Sequence, residues 1–103
     1  MAMPNSLRGE AILPIGGVPH LMRPSFTALV AAEEELGPLF ALVERASGGV
    51  LRLSEMATLF WHCLERREGL PREAVGEAVA ALGLAACAAP LRTLLSQILK
   101  GAE

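Results

Sequence analysis

The chain has 103 residues, near the usual size of one domain, and a formal net charge of −2. Apolar residues make up 52% and charged residues 19%, with Ala and Leu prominent, so the composition favours a helical fold and excludes disorder. The charge excludes a basic face for nucleic acid: Arg66, Arg67 and Arg72 are the one local cluster, and Glu65, Glu68 and Glu73 interrupt it.

Residues 1–6 read as a loose leader with no basic-then-apolar signal pattern. A single domain is expected over residues 7–103. Residues 7–24 predict a β-hairpin, because two apolar runs flank Gly16-Gly17, a dipeptide suited to a two-residue turn. Centring the turn there pairs Ile15 with Val18, Pro14 with Pro19, Leu13 with His20, Ile12 with Leu21 and Ala11 with Met22. It also sets Glu10 opposite Arg23. The proline pair then falls at a non-hydrogen-bonded position, where a missing N–H costs the hairpin nothing and spoils both outer edges. Ala11, Leu13, Ile15, Val18 and Met22 form the face expected to pack on helices, with His20 beside them.

Ser25 is placed to cap a helix from Phe26 to about Leu36, with an apolar stripe of Phe26, Leu29, Val30 and Leu36. Glu33, Glu34 and Glu35 crowd its last turn against the helix dipole. Gly37-Pro38 ends this helix and starts a second, whose buried face is read as Leu39, Phe40, Val43 and Ala46; Gly48-Gly49 stops it. After a short extended stretch at 50–53, Ser54 is expected to cap a third helix running to Gly69. Its stripe is Met56, Leu59, Phe60, Cys63 and Leu64.

Pro71 opens a fourth helix with Ala74, Val75, Ala78, Val79 and Leu82 inward, and Gly83 breaks it. The last segment, 84–100, should kink or restart at Pro90 and carries the strongest amphipathic stripe: Leu91, Leu94, Leu95, Ile98 and Leu99. The longest uncharged run, 78–91, is short of the roughly 18 to 20 residues that span a bilayer. The fold class is therefore α+β, mostly α: an N-terminal two-stranded hairpin packed on four to five short helices, in a cytoplasmic protein.

The chemistry for catalysis is sparse. The chain has no Asp and no Tyr, and neither His20 nor His62 lies near a Ser or Cys motif for nucleophilic catalysis. His62 and Cys63 are adjacent on a helix and point about 100° apart, so they do not face one metal ion together. His62 reads as a solvated flank residue. Cys63 and Cys87 read as small buried hydrophobes in a reduced compartment, although their pairing stays open at this level. Gly16-Gly17 and Gly48-Gly49 are too short for a phosphate loop. The expectation is a protein that is no enzyme and takes no metal or cofactor.

What remains is surface. Trp61 lies off the centre of the third helix's apolar face, and packs either under the hairpin or last helix or at the edge of a partner interface, where Trp is enriched. Trp61, Ala57 and Leu64 are the candidate contact. Glu33, Glu34 and Glu35 are candidates for steering a basic partner.

Several stretches occur in a telling order. Leu7-Arg8-Gly9-Glu10 precedes an apolar strand and Gly16-Gly17. Phe26-Thr27-Ala28-Leu29 leads into the run ending at Leu36, and Leu42-Val43-Glu44-Arg45 precedes Gly48-Gly49. Over residues 7–100 this pattern resembles the small tail protein of bacterial gene transfer agents, which are domesticated phage-like particles. That family is grouped with phage tail tube and tail assembly chaperone proteins. The resemblance implies a morphogenetic role: binding the tape measure protein or the tail tube subunit, with incorporation into a phage-like particle as one outcome. An unrelated small cytoplasmic adaptor or regulatory domain is the alternative.

Overall fold

A computed structural model describes residues 9–100. Among them run two strands, β1 (Ala11–Ile15) and β2 (Val18–Met22), and five helices: α1 (Phe26–Leu36), α2 (Leu39–Ser47), α3 (Leu53–Cys63), α4 (Arg72–Leu82) and α5 (Leu84–Lys100). The expected leader, residues 1–6, lies outside the described residues.

The strands pair antiparallel in the register expected from the turn, from Ala11 with Met22 through Pro14 with Pro19 to Ile15 with Val18. Both turn glycines take positive φ, 59° at Gly16 and 80° at Gly17, which this two-residue turn demands and glycine adopts without steric cost. Ala11, Leu13, Ile15 and Met22 are buried as expected. Val18 is not; it is 56% exposed, although its cross-strand partner Ile15 is buried. Arg23 approaches Glu10 at 3.8 Å.

The ribbon is tied to the helices by its main chain. Arg23 N–H donates to the Cys63 carbonyl at 2.6 Å, and Glu65 N–H donates to the Leu21 carbonyl at 3.0 Å, around an isolated bridge between Met22 and Leu64. These bonds use the outer edge of β2 beyond Pro19. They also explain why α3 ends at Cys63 and not near Gly69. A continued helix would need Cys63 C=O to accept from Arg67 and Glu65 N–H to donate to Trp61. Both groups are committed to β2, and Leu64 turns extended at φ −61° and ψ 128°.

Two apolar stripes are rotated from expectation. On α1 the buried positions are Ala28 and Ala32, with Leu29 and Leu36 partly buried, while Phe26 is 84% exposed and Val30 is exposed too. Packing α1 closely against α3 favours the alanine face, so residue size misleads about which side turns in. On α2 the inward set is Leu39, Leu42 and Val43; Phe40 is 70% exposed. The α3 stripe of Met56, Leu59, Phe60, Cys63 and Leu64 is buried throughout, as are Val75, Ala78 and Val79 on α4. α3 starts two residues earlier than expected from a cap at Ser54. Arg52 occupies the cap position, and its N–H donates to the Glu55 carboxylate at 3.0 Å. Arg45 donates to both oxygens of the same carboxylate, at 2.8 and 2.7 Å.

Gly83, at φ 94°, turns α4 into α5 through a bend of 118°. α5 runs unbroken from Leu84 through Pro90, near its first turns. The donor that proline lacks would have met the Ala86 carbonyl, which lies on an exposed residue where water can satisfy it. Leu94 is the fully buried member of the α5 stripe; Leu91, Leu95 and Ile98 are partly buried and Leu99 is exposed. No single helix among the described residues is long and apolar enough to cross a membrane.

Leu94→Ala should therefore cost about 2 to 5 kcal/mol in urea unfolding, and Leu95→Ala clearly less. Equal effects would show that the stripe is centred elsewhere. Replacing Pro14 and Pro19 together with Thr should leave the fold intact and raise self-association in light scattering, because both outer edges regain a donor. Unchanged association would mean that other features guard those edges.

Candidate partner-binding surface

α3 carries two faces. Met56, Leu59, Phe60 and Cys63 point into the core. Leu53, Ala57 and Trp61, each about one turn from the next, lie along the adjoining flank. Trp61 is half-buried against the core edge, and the guanidinium of Arg67 lies over its ring, 5.2 Å from the centroid. That cation–π contact arises because the chain leaves the helix at Leu64 and folds Arg67 back. Ala57 is half-buried and accessible. Leu64 is 4% exposed and belongs to the core, so the structure separates it from the other two.

Beside this flank, α3 and α4 leave an open groove of about 610 Å³. Leu53 and Ala57 line one side; Gly76 and Ala80 line the other, with Glu73 and Glu77 above them. The sequence reading did not single out Leu53, Gly76, Ala80 or this acid pair. One signal was available: Gly76 interrupts a helical pattern, where glycine is unfavourable relative to alanine by roughly 0.5 to 1 kcal/mol. A Cβ added at Gly76 would meet nothing within 4 Å, so no internal packing requires glycine there.

The three acids that crowd the end of α1 have separate uses. A Glu33 carboxylate oxygen accepts from Leu39 N–H at 3.1 Å, capping α2, whose Pro38 offers no side-chain cap. Glu35 links three helices. One oxygen lies 2.7 Å from His62 Nε2 and the other 2.6 Å from Arg72 Nη2, and Arg72 also donates to Thr58 Oγ1 at 3.3 Å. His62 is thus no solvated flank residue. Its side chain is 11% exposed, drawn in by the carboxylate. Glu34 makes no hydrogen bond or ion pair among the described residues.

The Arg72 guanidinium and His62 hold the Glu35 carboxyl down from an ordinary 4.5 to about 2. Burial pushes the Cys63 thiol up to about 12 and raises the Cys87 thiol, so neither is a ready thiolate nucleophile at neutral pH. Both cysteines are free. Among the described residues no three His, Cys, Asp or Glu side chains gather to hold a metal.

The Glu35 shift has a definite sign. In the unfolded chain Glu35 takes up its proton near pH 4.5, and in the folded protein only near 2. Its contribution is complete above 4.5 and lost as pH falls through that window to 2. The carboxylate is partly exposed and screened, so the effect should stay below about 1 kcal/mol. Urea unfolding of the wild type and Glu35→Gln should differ at pH 7 and converge towards pH 2. A difference independent of pH would contradict the assignment.

Searches of curated proteins and of solved structures returned no match. A family model does match, over residues 8–101, and its description is "Phage tail tube protein, GTA-gp10". The match takes in the hairpin, all five helices and the α3 flank. It agrees with the resemblance carried by the ordered motifs from the Gly9 turn to Gly48-Gly49. On that span, nearly the whole chain, the protein belongs to the phage tail tube protein GTA-gp10 family.

Proposed function

We propose that this protein acts in the morphogenesis of a phage-like tail by binding another tail component, the tape measure protein or the tail tube subunit, as an assembly chaperone or minor tail component. The observation that carries this reading is membership of a tail protein family over residues 8–101. The surface is consistent with such work. Phe26 and Phe40, two of the chain's largest apolar side chains, lie outside the core, and Trp61 is only half-buried. Aromatic side chains at a surface are frequent anchors of protein contacts. Assembly takes place in the cytoplasm, with incorporation into the particle a natural end point.

The contact is centred on Trp61 and Ala57. Leu64, being buried, lies outside this contact. Of the three α1 acids, Glu33 and Glu35 are held by internal partners, which leaves Glu34 the freest to steer a basic partner. Such steering shows as an association rate that falls with salt.

Co-expression with the neighbouring tail proteins, followed by pull-down, tests the function. Association with at least one is expected, and Trp61→Ala should weaken it by about 1 to 2 kcal/mol or more, as for an aromatic anchor. No association with any folded tail protein would leave only the adaptor reading. Binding unaffected by Trp61→Ala would move the contact elsewhere.

A further inference from the structure

We infer that the groove between α3 and α4 is the seat for an amphipathic helix of the tail partner, one with small or medium apolar side chains on one face and lysine or arginine beside them. The inference rests on the tail-binding reading above and assigns the residues and partner chemistry within it. Its floor is low and apolar: Leu53 and Ala57 from α3, Gly76 and Ala80 from α4. Leu53, at the first residue of α3, is 46% exposed and adds apolar area to this floor.

Gly76 is the most specific feature. It sits in the middle of α4, away from both caps, with no positive φ that would call for glycine. Alanine would stabilise the helix and has room, since a Cβ there meets no atom within 4 Å. Glycine at this point leaves the α4 backbone open to close approach from outside.

Charge identifies the occupant's polar edge. Glu73 and Glu77 stand one turn apart on the α4 wall. Arg72, the cation of that wall, is already committed to Glu35 and Thr58. Glu77 has no hydrogen bond or ion pair among the described residues. The wall therefore favours a basic partner. Secondary structure follows from the walls. Both are helices whose backbone donors and acceptors are used internally, so they offer no ladder to an extended peptide. A helix needs none. The lining runs from Leu53 to Thr58 on α3 and from Arg72 to Ala80 on α4, about 8 and 12 Å at the helical rise, which matches roughly two turns of an inserted helix.

The test uses the whole chain and the tail protein retained in the pull-down, titrated by calorimetry at two salt concentrations. Gly76→Leu fills the floor, and the Glu73→Lys, Glu77→Lys double variant reverses the wall. Gly76→Leu should keep or raise the melting temperature while lowering affinity at least tenfold. The double variant should lower affinity at least tenfold at low salt and much less at high salt. Wild-type affinity in both variants, with the partner still bound, would overturn the groove assignment and leave the tail-binding reading standing. If the variants change only self-association in light scattering, the occupant is a second copy of this chain and the inference is overturned. If no tail protein binds the wild type, the functional reading falls and the groove assignment with it.

Discussion

The short main-chain ladder between β2 and the end of α3 is the constraint on which the rest of the structure depends. A two-stranded ribbon of five residues a side is not stable on its own. Here its free edge is closed by Arg23, Leu21 and the backbone of 63–65. The same bonds stop α3, because a carbonyl that accepts from the hairpin cannot also accept from the next helical turn. Once α3 stops at Cys63, Leu64 is drawn into the core, Arg67 comes back over Trp61, and α4 can begin beside α3. The groove between the two helices is a consequence of where that helix ended.

A second tie works through side chains. Glu35 gathers His62 from α3 and Arg72 from α4 around one carboxylate, and Glu33 caps the following helix. Acids in a last turn oppose the helix dipole by a few tenths of a kcal/mol each. A shared charge-assisted contact and a cap outweigh that cost, which explains an arrangement that looks unfavourable within α1 alone. No polar or charged side chain is buried among the described residues. The ionic contacts therefore orient helices at the surface, and the apolar core supplies most of the stabilisation.

The same geometry divides apolar residues between core and surface in a way that suits a binding protein. α1 and α2 turn their smaller residues inward and leave Phe26 and Phe40 outside, while α3 and α4 expose Leu53 and Gly76 along a shared groove. A chain of this size can bury only about two thirds of its unfolded surface, so some apolar area must remain outside. Its concentration on particular helix flanks, beside acidic side chains, is what a partner can use.

Local chemistry was legible in the sequence by itself. Gly16-Gly17 determined the hairpin register, Ser25 and Leu36 bounded α1, and Gly83 ended α4, because caps, turns and positive φ act over a few residues. The ordered motifs also pointed to the tail family, whose membership the family match shows. What only the tertiary structure decided was every feature that depends on a distant partner. Which face of α1 turns inward was settled by how closely α3 can approach Ala28 and Ala32. The end of α3 was settled by a strand forty residues earlier in the chain, and the role of Glu35 by two residues on other helices. The groove required α3 and α4 to be placed side by side. Periodicity ranks the faces of one helix by hydrophobicity, but the helix that packs against it selects among them by shape.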